Sequence, residues 1–158
     1  MKAYEFASLL PECCSEVLDA MYFTTLLDSA SLEQAPEALS IPCIQLAFKL
    51  RFVGSLSGRF SICLEEATAR HLAANFLGEE SDSLSSIEVV EVASELANML
   101  CGSVMSRIEG EHKFVLSHPE ATSPVPLTGN EEAFSSRLET DNGAIMVWIV
   151  IEEAPCRT

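Results

Sequence analysis

The sequence predicts an α+β fold in which a mainly antiparallel sheet packs against long helices. Three observations carry this expectation. Two stretches alternate apolar and polar residues in hairpin fashion, one uninterrupted helical pattern is the longest element, and short segments recur between the two halves of the chain. The 158 residues suit one domain, 1–158. With 48% apolar and 21% charged residues, the chain has the composition of a folded protein and not of an acidic disordered tail.

The segment from Phe6 to about Phe23 carries a helical period interrupted near Pro11. Its clearest part is Glu12 to Tyr22, where Cys14, Val17 and Met21 can share one face. Ser29 to Pro42, with Pro36 and small polar residues, reads as a loop. Gln45 to Val53 alternates strictly, with Leu46, Phe48, Leu50 and Phe52 on one face and Ala47, Lys49 and Arg51 on the other. A turn at Gly54-Ser-Leu-Ser-Gly58 leads into a second alternating strand through Phe60, Ile62 and Leu64, which completes a hairpin.

A helix from about Ala67 to Leu77 follows, ended by Gly78, the residue best suited to a left-handed cap. After an acidic, serine-rich connection, Ser85 and Glu88 form a capping box for the long helix from about Ser86 to Arg107. Phe114 to Leu116 is a short strand leading to Pro119. A second hairpin pairs Ala133–Glu139 with Ala144–Ile151 through a turn at 140–143. Its last strand is apolar on both faces, so it belongs in the centre of the sheet.

The halves, approximately 6–78 and 84–153, each read as helix, then hairpin. Ser15-Glu-Val-Leu-Asp-Ala-Met21 parallels Ser94-Glu-Leu-Ala-Asn-Met-Leu100, and Ile62-Cys-Leu-Glu-Glu-Ala67 parallels Ile149-Val-Ile-Glu-Glu-Ala154. An internal pseudo-twofold duplication is the natural expectation. It sets Glu12, Glu16 and Asp19 opposite Glu91, Glu95 and Asn98.

Nine Lys and Arg against 24 Asp and Glu leave a formal charge of −15. That argues against nucleic acid or an anionic membrane surface, where each phosphate calls for a cation. The start of the chain lacks a signal-peptide pattern, and the longest apolar run, Ala144 to Ile151, falls far short of the ~20 residues of a membrane helix. A cytoplasmic protein is expected. The six cysteines, Cys13, Cys14, Cys43, Cys63, Cys101 and Cys156, include no C-x-x-C pair, and His71, His112 and His118 lie in unrelated contexts. No metal site is expected; Cys63 and Cys101 read as small core residues.

On the long helix, Val89, Ala93, Leu96, Leu100 and Val104 share a core-facing side. Glu88, Glu91, Ser94, Glu95, Asn98, Gly102 and Ser106 cluster on the other. Glu91 and Glu95 are a like-charge i,i+4 pair that destabilises an isolated helix by ~0.2–0.5 kcal/mol, with no Lys or Arg within one turn. Such a stripe is either a solvated face or a surface that receives a cation from elsewhere. Gly102 costs the helix ~1 kcal/mol against alanine, which points to close approach of another backbone.

Glu91-Val-Ala-Ser-Glu95-Leu-Ala-Asn98-Met-Leu-Cys-Gly102, with Ser117-His-Pro119 downstream, is similar to the signature helix of the CheX/CheC family of chemotaxis phosphatases, Asp/Ser-x-x-x-Glu-x-x-Asn. The hairpin around Gly54–Gly58 and the helix ending at Gly78 also resemble that family, so the likeness extends from about Glu12 to Ile151. The resemblance implies a CheC-like two-layer fold and hydrolysis of the aspartyl phosphate of a CheY-type response regulator. It assigns Asn98 to orienting the attacking water and Glu95 to a salt bridge with the regulator's lysine, beside partner contacts at Glu91, Ser94 and Gly102. It implies no cofactor of the protein's own, Mg2+ on the partner regulator, and a homodimer.

Three departures stand out. Glu91 occupies the Asp/Ser position, Glu120-Ala-Thr-Ser-Pro124 replaces an expected apolar run, and the first-half stripe ends in Asp19. An ionised Asp accepts hydrogen bonds but cannot donate and repels phosphoryl oxygens, so that stripe is expected to be inactive. The alternative function is a non-catalytic CheX-like adaptor that binds a regulator or another signalling partner. A thiol- or metal-dependent enzyme lacks a nucleophile or ligand constellation.

Overall fold

The computed structural model describes residues 3–31, 45–109, 113–122 and 132–152. Cys43, Cys156, His112 and most of the expected Ser29–Pro42 loop lie outside them. The described elements are α1 (Ala3–Tyr22), β1 (Leu26–Ser31), β2 (Gln45–Val53), β3 (Ser57–Glu65), α2 (Glu66–Leu77), α3 (Ser86–Glu109), β4 (Val115–Leu116), β5 (Glu120–Ala121), β6 (Glu132–Thr140) and β7 (Gly143–Glu152). All seven strands pair antiparallel, in the order β1-β6-β7-β3-β2-β4, with β5 also on β2.

Alternation decides which side of the sheet is covered. Phe48, Leu50 and Phe52 of β2, Phe60, Ile62 and Leu64 of β3, and Ile145, Val147 and Ile149 of β7 point to one face. There they meet Leu10, Cys14 and Leu18 of α1, Leu72 of α2, and Leu96, Leu100 and Val104 of α3. The helices therefore form one layer and the sheet the other, the CheC-like two-layer arrangement expected from the sequence. Strand β7 is central, as its unbroken apolar run requires. On the opposite face Ala47, Cys63, Met146, Trp148 and Val150 form a smaller apolar cluster.

Both expected hairpins form, β2 with β3 and β6 with β7, although Val53 already pairs with Ser57, so the first turn is shorter than the expected Gly54–Gly58. Gly58 is fixed by packing, because a Cβ there would stand 1.9 Å from the Val150 carbonyl oxygen across the β3–β7 pair. Gly78 takes the expected left-handed cap at φ 68°, and Glu79 N–H closes on the Ala74 carbonyl at 3.1 Å.

Three local expectations are corrected. Helix α1 is continuous through Pro11; an interior proline costs ~3 kcal/mol, yet Leu9, Leu10, Cys13 and Cys14 bury on both sides of it and hold the axis. Met21 is 43% exposed, while Cys14, Leu18 and Tyr22 make the buried ridge. Residues 26–31 are a strand, so the segment from Ser29 to Ser31 is paired where a loop was expected. Their pairing with β6 decides this, reinforced where Thr25 N–H donates to Asp141 Oδ1 at 3.0 Å.

Candidate functional site

Helix α3 carries the site, and its own sequence sets it. Glu88 N–H donates to Ser85 Oγ and Ser85 N–H to Glu88 Oε1, both at 3.1 Å, which is the expected capping box. Val89, Ala93, Leu96, Leu100 and Val104 are all buried, so the opposite side must face outward. Glu91 and Glu95 are exposed, and Ser94, Asn98 and Gly102 are half-buried. All five residues singled out from the sequence thus lie along one accessible stripe. Among the described residues, neither Glu91 nor Glu95 meets a cation.

The carboxylates of α1 that the expected duplication sets opposite Glu91 and Glu95, those of Glu12 and Glu16, are occupied. Arg107, in the last turn of α3, donates from Nη1 to Glu12 at 3.0 Å and from Nη2 to both Glu16 oxygens at 3.0 and 2.9 Å. Tyr22, at the other end of α1, reaches Met99 of α3. The two helices therefore run in opposite directions, with Glu12 and Glu16 beside the C-terminal end of α3 and Tyr22 beside the Glu95–Met99 turn. Sequence reasoning missed this Arg107 fork, because nothing in the residue pattern announces which helix a terminal arginine will cross to.

Gly102 corrects a further expectation. A Cβ there would meet only Leu116 Cδ1, at 3.8 Å, an ordinary contact. Among the described residues no backbone approaches closely, so their packing does not require the glycine.

Tyr22 was also missed, although the spacing Cys14, Leu18, Tyr22 marks it as core. Its ring stacks on Phe76 of α2 with centroids 5.0 Å apart. Burial, and secondarily the negative charge of Glu95, pushes its phenol well above the usual range.

Other chemistry is poorly served. Cys13, Cys14, Cys63 and Cys101 are buried and free. Burial pushes the Cys63 thiol up to about 11 and that of Cys101 up to about 12, the reverse of an activated nucleophile. Among the described residues no three His, Cys, Asp or Glu gather as metal ligands, and no helix is long and apolar enough to cross a membrane. What the stripe offers is an amide with both donor and acceptor capacity, flanked by two unpaired carboxylates.

Comparison with known proteins places this architecture. Over 94% of its length the chain superposes on 99% of the chemotaxis protein CheX of Desulfovibrio desulfuricans, with a TM-score of 0.72 at 15% identity. A CheC-like superfamily protein from Shewanella sp. PV-4 matches with a TM-score of 0.73 at 19% identity, covering 97% of this chain and 100% of that one. CheX in the CheX–CheY–BeF3–Mg2+ complex of Borrelia burgdorferi matches with a TM-score of 0.70 at 20% identity, covering 94% and 98%. These likenesses establish the fold. No curated protein sequence matches significantly. The sequence model described as chemotaxis phosphatase CheX matches residues 47–141, from β2 through α3 and its stripe to the β6–β7 turn. By that match, and with the two-layer fold to support it, the chain belongs to the CheX family.

Proposed function

We propose that this protein hydrolyses the aspartyl phosphate of a CheY-type response regulator. The observation that carries the reading is the α3 stripe: Asn98 stands among Glu91 and Glu95, two exposed carboxylates that no cation of the chain's described residues neutralises. Membership of the CheX family supports it, as does the likeness to a CheX that is found in complex with CheY, BeF3 and Mg2+.

An acyl phosphate is already activated, so catalysis is chiefly placement of water in line with phosphorus. Asn98 accepts one hydrogen bond from that water and donates another, which fixes its orientation. Water oxygen bonds to phosphorus, the bond from phosphorus to the aspartyl oxygen breaks, and inorganic phosphate and the free carboxylate result. Glu95, one turn away, pairs with the regulator's lysine and sets the distance, while Glu91, Ser94 and Gly102 complete the docking face. The Mg2+ belongs to the regulator. In the same reading α1 is the counterpart stripe of a duplicated unit, silent because it has Asp19 and because Arg107 occupies Glu12 and Glu16. The protein acts in the cytoplasm as a homodimer, which sedimentation equilibrium tests.

The test follows decay of a phosphorylated CheY-type regulator with and without the protein, then with Asn98→Ala and Glu95→Ala. Asn98→Ala is expected to lower kcat by ~100-fold or more, and Glu95→Ala to act mainly on KM. Unaccelerated decay with the wild type rejects the phosphatase reading. The Glu91 substitution at the family's Asp/Ser position favours a second reading, an adaptor that docks without turnover; binding without accelerated decay selects it.

A further inference from the structure

We propose that Tyr22 is a positioning residue for the α3 site, its hydroxyl holding the Met99 side chain so that Glu95 presents its carboxylate outward to the partner. The inference rests on the docking role given to Glu95 above.

The argument begins with a polar group that stability alone does not explain. Tyr22 is fully buried, and its hydroxyl donates to the Met99 sulfur at 3.6 Å, its partner among the described residues. A thioether is a weak acceptor, so the bond returns little of what the phenol lost on leaving water. Phenylalanine would fill the same space, keep the stacking on Phe76 and carry no donor to satisfy. A hydroxyl retained under these terms needs another reason.

Its surroundings supply one. Met99 lies between Asn98 and the buried Leu100 and follows Glu95 by four residues, so Glu95 and Met99 are neighbours on the same helical face. Long helical side chains lean toward the N-terminus, which lays the Met99 thioether over the turn that carries Glu95. Methionine has three rotatable bonds and fills space adaptably. Left loose beside a carboxylate, it gives that carboxylate alternative places to go. The Tyr22 hydroxyl removes that freedom at the sulfur, and Glu95 is near enough for its charge to act on the phenol.

The anchor is itself held firmly. Thr24 Oγ1 donates to the Tyr22 carbonyl at 2.8 Å and accepts from Asn142 Nδ2 at 2.8 Å. Asp141 N–H donates to the Thr25 carbonyl at 3.2 Å, and Thr24 N–H closes on the Leu18 carbonyl at 3.0 Å. The end of α1 is thereby tied to the β6–β7 turn, and through the Phe76 stack to α2. Tyr22 carries that rigidity into the one turn of α3 whose geometry docking depends on.

The test uses the full chain with Tyr22→Phe, Met99→Leu and the double variant. Two readouts are taken: steady-state dephosphorylation of the regulator, and calorimetric binding of the regulator loaded with beryllofluoride and Mg2+. Tyr22→Phe is expected to raise KM and Kd by roughly 3- to 10-fold with kcat nearly unchanged, while Tm stays level or rises. Met99→Leu should do the same, and the double variant should be no worse than either single one, because both break the same contact. Unchanged KM and Kd in Tyr22→Phe overturn the proposal, as do additive effects or a loss that tracks a falling Tm. A wild type that binds the regulator without accelerating decay rejects the phosphatase reading but leaves this proposal to be decided by Kd. Normal turnover with an indifferent Tyr22→Phe rejects the proposal alone.

Discussion

Replacing Gly102 by alanine should stabilise this protein while weakening its grip on the regulator. The glycine sits inside α3, eight residues after Ser94 and well before the helix ends at Glu109, so alanine gains ~0.8–1 kcal/mol of helical propensity. Among the described residues the added methyl meets Leu116 Cδ1 at 3.8 Å, a favourable distance that does not oppose the gain. For a chain of 158 residues, ~1 kcal/mol raises Tm by about 2–4 °C. Gly58→Ala provides the opposite sign. Its methyl would lie 1.9 Å from the Val150 carbonyl oxygen and 2.8 Å from Phe52 Cζ, so β3 and β7 must part, with a loss of ~1–3 kcal/mol or more. Thermal unfolding followed by circular dichroism measures both. Dephosphorylation kinetics on the Gly102→Ala protein then separates fold from docking: a higher Tm with a raised KM assigns the glycine to the partner surface. A lower Tm in Gly102→Ala would refute the packing argument, and a higher Tm with unchanged KM would remove Gly102 from the docking face.

Three other outcomes are expected. Ser85→Ala removes one arm of the capping box and should cost ~1 kcal/mol, read as a fall in urea midpoint at unchanged slope. Arg107→Ala leaves Glu12 and Glu16 facing each other unrelieved; Tm should drop slightly at low ionic strength and recover in 1 M salt, with no new phosphatase activity because Asp19 cannot donate. Alkaline pH should destabilise the reduced protein, since the Cys101 thiol rises from 9.0 to about 12 on folding. Below pH 9 both states keep that proton and its contribution is complete; between pH 9 and 12 only the unfolded chain loses it, so stability falls, by a few kcal/mol in all. Urea titrations at pH 8, 9.5 and 11 measure the slope, and Cys101→Ala should reduce it without abolishing it, because Cys13, Cys14, Cys63 and Tyr22 are raised by burial as well.

The elements legible in the sequence were those whose residues determine themselves. Strict alternation in β2 and β3, the unbroken apolar run of β7, the Ser85/Glu88 box and the Gly78 cap all act within a few residues, and each stands where its pattern placed it. Strand β1 was not legible because Leu26-Leu-Asp-Ser-Ala-Ser has no period of its own; its conformation comes from β6, more than a hundred residues away. Pro11 misled for the related reason that a local cost was outweighed by tertiary packing. The site divides along the same line. Helical spacing was enough to gather Glu91, Ser94, Glu95, Asn98 and Gly102 on one stripe. What lies beneath and beside that stripe, Tyr22 on Met99 and Arg107 on Glu12 and Glu16, depends on how α1 crosses α3.

That crossing gives the net charge of −15 a more definite meaning. A uniformly acidic surface would attract any cation equally and could not direct a partner to one helix. Here the arginines among the described residues are spent locally. Arg51 and Arg59 meet Glu152, Arg70 meets Glu66, Arg137 meets Glu139, and Arg107 spans Glu12 and Glu16. Each exposed pair adds little stability; Glu91 and Glu95 are among the described carboxylates that these pairs leave without a cation, and they are the ones that stand beside Asn98. If a regulator's lysine docks as proposed, it would find Glu12 and Glu16 of α1 already engaged by Arg107 and the carboxylates of α3 still open. The two acidic helices differ in the placement of one arginine, and the amide of Asn98 lies on the helix whose carboxylates that arginine leaves free.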